Sequence, residues 1–283
     1  MFEWSGVCGA RPAVMGVVNV TPDSFSDGGQ FLDPSSAVAH GLELVAAGAD
    51  LLDVGGESTR PGADPVDEAE ELRRVVPVIQ ALAAETPVPI SIDTTKSAVA
   101  TAALEAGASV VNDVSAGRHD PETLAVAADA GAGYVAMHML GEPRTMQDDP
   151  RYDDVVREVG DFLAQRLDVA RAAGVADAAL AADPGIGFGK TVEHNLSLLV
   201  HLPDLCERVG APMVIGTSRK RFLASIMRNA TGRDDEPAPA DRDDATLATV
   251  VWSVERGASV VRVHDVQSTA RAIALLAAMR SAA

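Results

Sequence analysis

The chain has 283 residues, 47% of them hydrophobic and 4% aromatic, with a formal charge of −18. A core of good size is expected, whereas nucleic acid and anionic membrane surfaces, which need a cationic footprint, are excluded as partners. Two cysteines, Cys8 and Cys206, make neither a disulfide framework nor a metal cluster, and no run of about 18 apolar residues offers a membrane span, so a soluble cytoplasmic protein is expected.

In chain order, residues 1–12 read as an N-terminal extension without a basic, then apolar, leader pattern. Eight short apolar runs follow, at 13–20, 51–54, 88–92, 110–111, 134–137, 178–182, 213–215 and 260–263. Helical patterns separate them, near 35–48, 67–84, 96–106, 121–130, 153–173, 194–209, 219–228 with 243–256, and 266–281. Six of these helices stop at Gly48, Gly107, Gly131, Gly174, Gly210 and Gly257, each suited to a left-handed helix end. Continuous rather than alternating apolar strands mean burial on both faces, and eight βα units in about 250 residues predict one (β/α)8 barrel domain over 1–283; a doubly wound open sheet is the alternative. Residues 21–34 and 57–65 are too polar and too broken by Pro and Gly to be elements, and in a barrel they overhang the catalytic face. Residues 229–242 read as a solvated insertion.

The stretch Asp183-Pro184-Gly185-Ile186-Gly187-Phe188-Gly189-Lys190 sits between a strand and a helix, where α/β proteins build sites. A Walker loop would need glycine at Pro184, and a dinucleotide fingerprint would need it at Lys190, so both fail by one residue. A glycine-rich turn that caps a helix accounts for the octapeptide equally well. The other strand ends carry Asn19, Asp53, Asp93, Asn112, His138, Ser218 with Arg219 and Lys220, and Arg262 with His264. Any single Asp among them reads as a helix cap, and Asp53 and His138 read as structural, but convergent carboxylates and amides suit a flat heterocycle with adjacent N–H donors. The chain has three lysines, Lys96, Lys190 and Lys220, among 23 basic residues, and all three follow predicted strands. With Arg60, Arg219, Arg262 and His264 they imply an anionic substrate, unless Arg219 and Arg221 merely flank Lys220 on a helix face.

The motifs 19–29 (Asn-Val-Thr-Pro-Asp-Ser-Phe-Ser-Asp-Gly-Gly), 55–62 (Gly-Gly-Glu-Ser-Thr-Arg-Pro-Gly), 91–94, 112–115, 183–190, 218–220 and 262–266 resemble, in order, those of the dihydropteroate synthase family. The resemblance covers nearly the whole chain. It implies a barrel that joins 6-hydroxymethyl-7,8-dihydropterin pyrophosphate to 4-aminobenzoate, with sulfonamides as competitors, a homodimeric assembly and Mg²⁺ as cofactor. It further implies that Asp93, Asn112, Asp183 and Lys220, with Met137 and Gly187 beside them, hold the pterin. Asn19 would bind the metal, and with Thr59, Arg262 and His264 it would face the pyrophosphate. Phe25, Asp27, Arg60, Pro61, Phe188 and Ser218 would form the aminobenzoate side. The chemistry would fall to Asp93, Asp183, Lys220, Arg262 and His264. Family members commonly carry glycine where this chain has Ala116.

Rival readings meet specific residues. A Schiff-base aldolase with Lys220 as the amine leaves the Asn19 loop without a role. A non-catalytic pterin-binding homologue would not need the 19–29 loop or Thr59-Arg60-Pro61. A methyltetrahydrofolate-binding methyltransferase would lack Arg262 and His264.

Overall fold

Each apolar run becomes a strand and each is followed by a helix that covers its outer face. The computed structural model describes residues 1–9, 11–21, 34–58, 63–142, 144–232 and 235–282. Its elements are β1 (Ala13–Asn19), α1 (Pro34–Ala46), β2 (Leu51–Gly55), α2 (Glu68–Glu85), β3 (Ile90–Asp93), α3 (Ser97–Glu105), β4 (Val110–Asp113), α4 (Glu122–Ala130), β5 (Gly133–Met137), α5 (Val155–Ala172), β6 (Leu180–Asp183), α6 (Val192–Val200), α7 (Leu202–Val209), β7 (Val214–Ile215), α8 (Arg221–Thr231), α9 (Asp243–Val254), β8 (Val260–Val263) and α10 (Val266–Ser281). The strands are parallel in the order β6-β5-β4-β3-β2-β1-β8-β7. A bridge between Ala182 and Met213, with the Ala182 N–H on the Pro212 carbonyl at 3.0 Å, brings the two ends together. The fold is the expected (β/α)8 barrel.

The helix expected over 194–209 is two helices that meet at His201. Pro203, in the first turn of α7, lacks an N–H and crowds the carbonyl four residues back, so the helix cannot run on. That carbonyl, of Leu199, is instead taken by the Trp252 indole N–H of α9 at 2.9 Å. All six predicted helix-stop glycines have positive φ, and Gly131 and Gly210 are left-handed caps.

Side chains alternate along a strand, and the barrel uses that period of two to change chemistry with depth. On the interior face, Leu51 is followed by Asp53, Val110 by Asn112, Val135 by Met137, Ala181 by Asp183, and Val260 by Arg262. The first member of each pair packs in an apolar floor with Ala13, Met15 and Val214. Facing outward, Leu52, Val54, Ile92, Val111, Ala136, Ala182 and Val261 pack in the layer that holds the helices. The amino end of the floor is closed by the N-terminal extension. Trp4, 1% exposed, packs against the floor residues, meets Phe2 edge-on and donates its indole N–H to the Ala179 carbonyl at 2.9 Å.

The described part of the segment expected as a solvated insertion is mostly exposed, and its last residue ties it down. Arg242 is buried and donates to the carbonyls of Pro237 and Arg219 and to Glu236. Among the described residues no helix is long and apolar enough to cross a membrane.

Candidate active site

Strand register sets the upper layer of the barrel. Asp93 pairs with Asn112 across β3 and β4, and Met137 with Asp183 across β5 and β6, so these side chains stand as neighbours on the interior face. Arg262 reaches across from β8. Its Nε donates to Asp53 Oδ2 at 2.6 Å and its Nη2 to Asp93 Oδ2 at 2.9 Å. Asn112 Nδ2 also donates to Asp53 Oδ2, at 3.1 Å. Burial opposes the charge of Arg262, but the Asp53 and Asp93 carboxylates outweigh it and raise its pKa. Burial, followed by repulsion from Asp53, pushes Asp93 well above the usual carboxylate range. Burial likewise raises Asp183, against the pull of Lys220 and of a bond from the Gly185 N–H to its Oδ1 at 2.7 Å. Such buried carboxylates with raised affinity for a proton or a donor are poised for a ligand that offers N–H groups.

The β6–α6 loop forms one wall. Gly185 has φ +65°, and a Cβ there would lie 1.8 Å from the His138 carbonyl oxygen, so no other residue fits. Lys220 Nζ donates to the Ile186 carbonyl and lies 4.4 Å from the centre of the Phe188 ring. Burial drives Lys220 down to about 8, with Asp183 pulling the other way. Met137, Met139, Met146 and Val114 form an apolar cluster on which Phe188 packs. Gly187 accepts from Gln147 through its carbonyl at 2.5 Å and gives its N–H to Asn195 Oδ1 at 2.7 Å.

Of the residues singled out from sequence, Asp93, Asn112, Met137, Asp183, Gly187, Phe188, Lys220 and Arg262 gather at the carboxyl end of the barrel. Asn19 is partly buried at the end of β1. Ser218 and His264 are joined, Oγ to Nδ1 at 2.8 Å, and the His264 N–H meets Ser218 Oγ at 3.2 Å. Phe25, Asp27, Thr59, Arg60 and Pro61 lie outside the described residues.

The inference of an anionic substrate from lysine usage is weakened by what the cations do. Lys96 binds Glu57 at 2.5 Å and also Glu71, and Arg219 forms a two-pronged pair with Asp243 at 2.8 Å. Lys190 is buried against His138. Asp53, read as structural, is buried at the centre of the polar network, where it accepts from Arg262 and Asn112. The signal that could have found it is its place two residues beyond Leu51, on the same face. Gln147, Tyr152 and Asn195, which hold the β6–α6 loop, carry no local signal. Ala116 has φ +54°, so the turn keeps the left-handed conformation that glycine would take there, and its carbonyl accepts from Arg166 Nε at 2.7 Å.

A closed barrel with an apolar floor and a ring of hydrogen-bonding groups at its carboxyl end defines an enzyme of the small-molecule class. The profile of the family described as pterin binding enzyme matches residues 15–264, and the chain belongs to that family. It is 46% identical over 271 residues to the dihydropteroate synthase of Synechocystis sp., covering 96% of this chain and 90% of that one. Among solved structures, Xanthomonas albilineans dihydropteroate synthase with 4-aminobenzoic acid superposes with a TM-score of 0.87 at 49% identity, covering 96% and 94% of the two chains. The Yersinia pestis enzyme in complex with a sulfonamide drug superposes with a TM-score of 0.88 at 42% identity, covering 96% and 95%.

Proposed function

We propose that the chain is a dihydropteroate synthase, a transferase that condenses 6-hydroxymethyl-7,8-dihydropterin pyrophosphate with 4-aminobenzoate to give 7,8-dihydropteroate and pyrophosphate. The observation that carries this reading is the interior layer of Asp93, Asn112 and Asp183 above an apolar floor, with Lys220 and Arg262 beside it. A pterin offers a flat edge of N–H donors and ring acceptors, and each buried carboxylate can accept two such donors at once. Phe188, Ser218 and the loop residues Phe25, Asp27, Arg60 and Pro61 form the aminobenzoate side, where sulfonamides compete.

The leaving group is already activated, so the protein needs no nucleophile. The bond between the pterin methylene carbon and the pyrophosphate oxygen breaks first, the carboxylates steady the electron-poor pterin, and the amine of 4-aminobenzoate then forms the C–N bond and gives up a proton. His264, Thr59 and Arg262 receive the departing pyrophosphate. Arg262 must relax its hold on Asp53 or Asp93 to do so. Among the described residues no three His, Cys, Asp or Glu side chains gather to hold a metal, but Asn19 offers one amide oxygen at the end of β1. One protein oxygen suffices for Mg²⁺ when phosphate oxygens complete its shell, so the residues fit. When bound, the ion supplies positive charge to the pyrophosphate.

We place the enzyme in the reducing cytoplasm, in keeping with two unpaired thiols at Cys8 and Cys206. A homodimer is proposed across α6, α9 and α10, where Leu196, Val200, Trp252, Leu275 and Met279 are exposed. The deciding experiment follows pyrophosphate release from the pterin substrate with Mg²⁺, with and without 4-aminobenzoate. Release coupled to dihydropteroate formation is expected; no release under any condition would overturn the reading.

A further inference from the structure

The β6–α6 loop, residues 184–191, has to hold a ring between two glycines. Gly187 and Gly189, with φ +84° and +61°, flank Phe188 and give the chain conformational freedom on both sides of the ring. A ring that must form one wall of a binding site needs its backbone held as well as its face packed. Four successive carbonyls of the loop are in fact each taken by a side-chain donor. Lys220 takes Ile186, Gln147 takes Gly187, Lys190 takes Phe188 at 3.0 Å, and Tyr152 takes Gly189 at 2.9 Å.

Of these four donors Lys190 is the one that is buried, 3% exposed. A lysine is costly there. Burial and the neighbouring charge of Lys220 both drive it toward the neutral amine, and methionine would fill much of the same space without that cost. What the amine adds is a hydrogen bond at each of two sides. Its Nζ donates to the Phe188 carbonyl at 3.0 Å and lies 2.9 Å from His138 Nδ1, so among the described residues the amine has one partner at each end. His138 is a firm anchor. Its backbone N–H bonds to the Asp183 carbonyl at 3.0 Å, its ring stands edge-on to Phe162 with centroids 4.8 Å apart, and its carbonyl lies against Gly185.

We propose that Lys190 is a positioning residue for 4-aminobenzoate, a buried strut that runs from the barrel wall at His138 to the Phe188 carbonyl and so fixes the Phe188 ring. This rests on the proposed function only in naming the ligand that the ring faces. The pterin half of the site keeps its own supports, since Lys220 retains its bond to Ile186 and its attraction to Asp183.

The test compares wild type with Lys190→Met, each also prepared with 4-fluorophenylalanine at position 188. In Lys190→Met the KM for 4-aminobenzoate is expected to rise about tenfold, the worth of one lost hydrogen bond, while kcat and calorimetric binding of a pterin change by less than about threefold. The fluorine resonance, single in wild type, is expected to broaden or split. An unchanged KM with a single sharp resonance overturns the proposal, and so does an equal loss of both ligands, which would mark a general structural role. If Lys190→Met does not fold, His138→Leu cuts the wall end of the strut and carries the same expectations. Should wild type release no pyrophosphate in response to 4-aminobenzoate, the proposed function falls, whereas the substrate-free fluorine spectra still decide whether Lys190 holds the ring.

Discussion

Asp53 and Asp93 share one guanidinium, Arg262 giving Nε to the first at 2.6 Å and Nη2 to the second at 2.9 Å. Asp53 is fully buried, and its other oxygen, Oδ1, has no hydrogen-bond partner among the described residues. Its place is therefore justified by Arg262 and Asn112 alone. Asp53→Ala is expected to cost about 1–3 kcal/mol in denaturant unfolding, below the roughly 3–5 kcal/mol of a fully stripped buried charge, because Asp93 still holds Arg262. Asp53→Asn, which keeps an acceptor, should cost less. Wild-type stability in Asp53→Ala would show that the pair does not hold Arg262.

Asp183 is a buried carboxylate at the end of β6, and in the proposed function it accepts from the pterin edge. Losing a charge-assisted bond of this kind costs on the order of 1.5–3 kcal/mol. Calorimetry with a pterin that lacks the pyrophosphate should show at least a tenfold weakening in Asp183→Ala. Equal affinity would remove Asp183 from the pterin site.

The proposed Mg²⁺ should act on one half of the substrate and not the other. Excess EDTA is expected to abolish turnover and leave binding of the bare pterin unchanged, since Asn19 stands at the end of β1 and the residues proposed for the pterin stand on β3, β4 and β6. Full turnover in EDTA would rule out the Mg²⁺ assignment.

The pH dependence follows from Lys220. Its pKa is depressed from the ordinary 10.5 to about 8, so the native protein gives up this proton before the unfolded chain does. Between those values the unfolded chain binds more protons, and this group's contribution to stability rises with pH. Activity that needs the ammonium runs the other way, and kcat/KM for the pterin substrate should fall through an alkaline limb near pH 8. In Asp183→Asn, which removes a carboxylate that supports the charge, whatever activity remains should fall at lower pH. A flat profile up to pH 10 would exclude a role for the Lys220 cation.

Ala116 has a left-handed backbone with φ +54° and is 1% exposed. Glycine there would relieve about 1–2 kcal/mol of strain, but would lose about 0.8 kcal/mol of methyl burial and about 0.4–1 kcal/mol through a freer unfolded chain. Those terms nearly cancel. Ala116→Gly is therefore expected to melt within a few degrees of wild type, while Ala116→Val, branched at Cβ, should lose more than about 2 kcal/mol. A large stabilisation by glycine would mean that the turn is more strained than this.

The barrel was legible because its signal is local: each apolar run and each helix-ending glycine is read within a few residues, and the motifs lie where strands end. What escaped depends on the third dimension. Asp53 differs from a structural aspartate only by what Arg262, on β8, does to it. Lys96 and Arg219 promised free cations until their partners Glu57, Glu71 and Asp243 closed on them from other segments. The break at His201 was readable, since Pro203 announces it, but its compensation by Trp252 was not.

Trp4 makes the barrel a cul-de-sac. With its indole lodged under the floor residues, whatever reaches Asp93 and Asp183 must come and go by the carboxyl end. Position then dictates traffic. A pterin seated at Asp93 and Asp183, as proposed, would have to arrive before the mouth fills, and pyrophosphate could leave while the joined product is still below. A molecule seated at Phe188 would detain the pterin beneath it, so a sulfonamide-like ligand and a pterin should slow each other's departure without any conformational signal passing between them. Stopped-flow release of a fluorescent pterin, with and without such a ligand at the mouth, measures that detention directly.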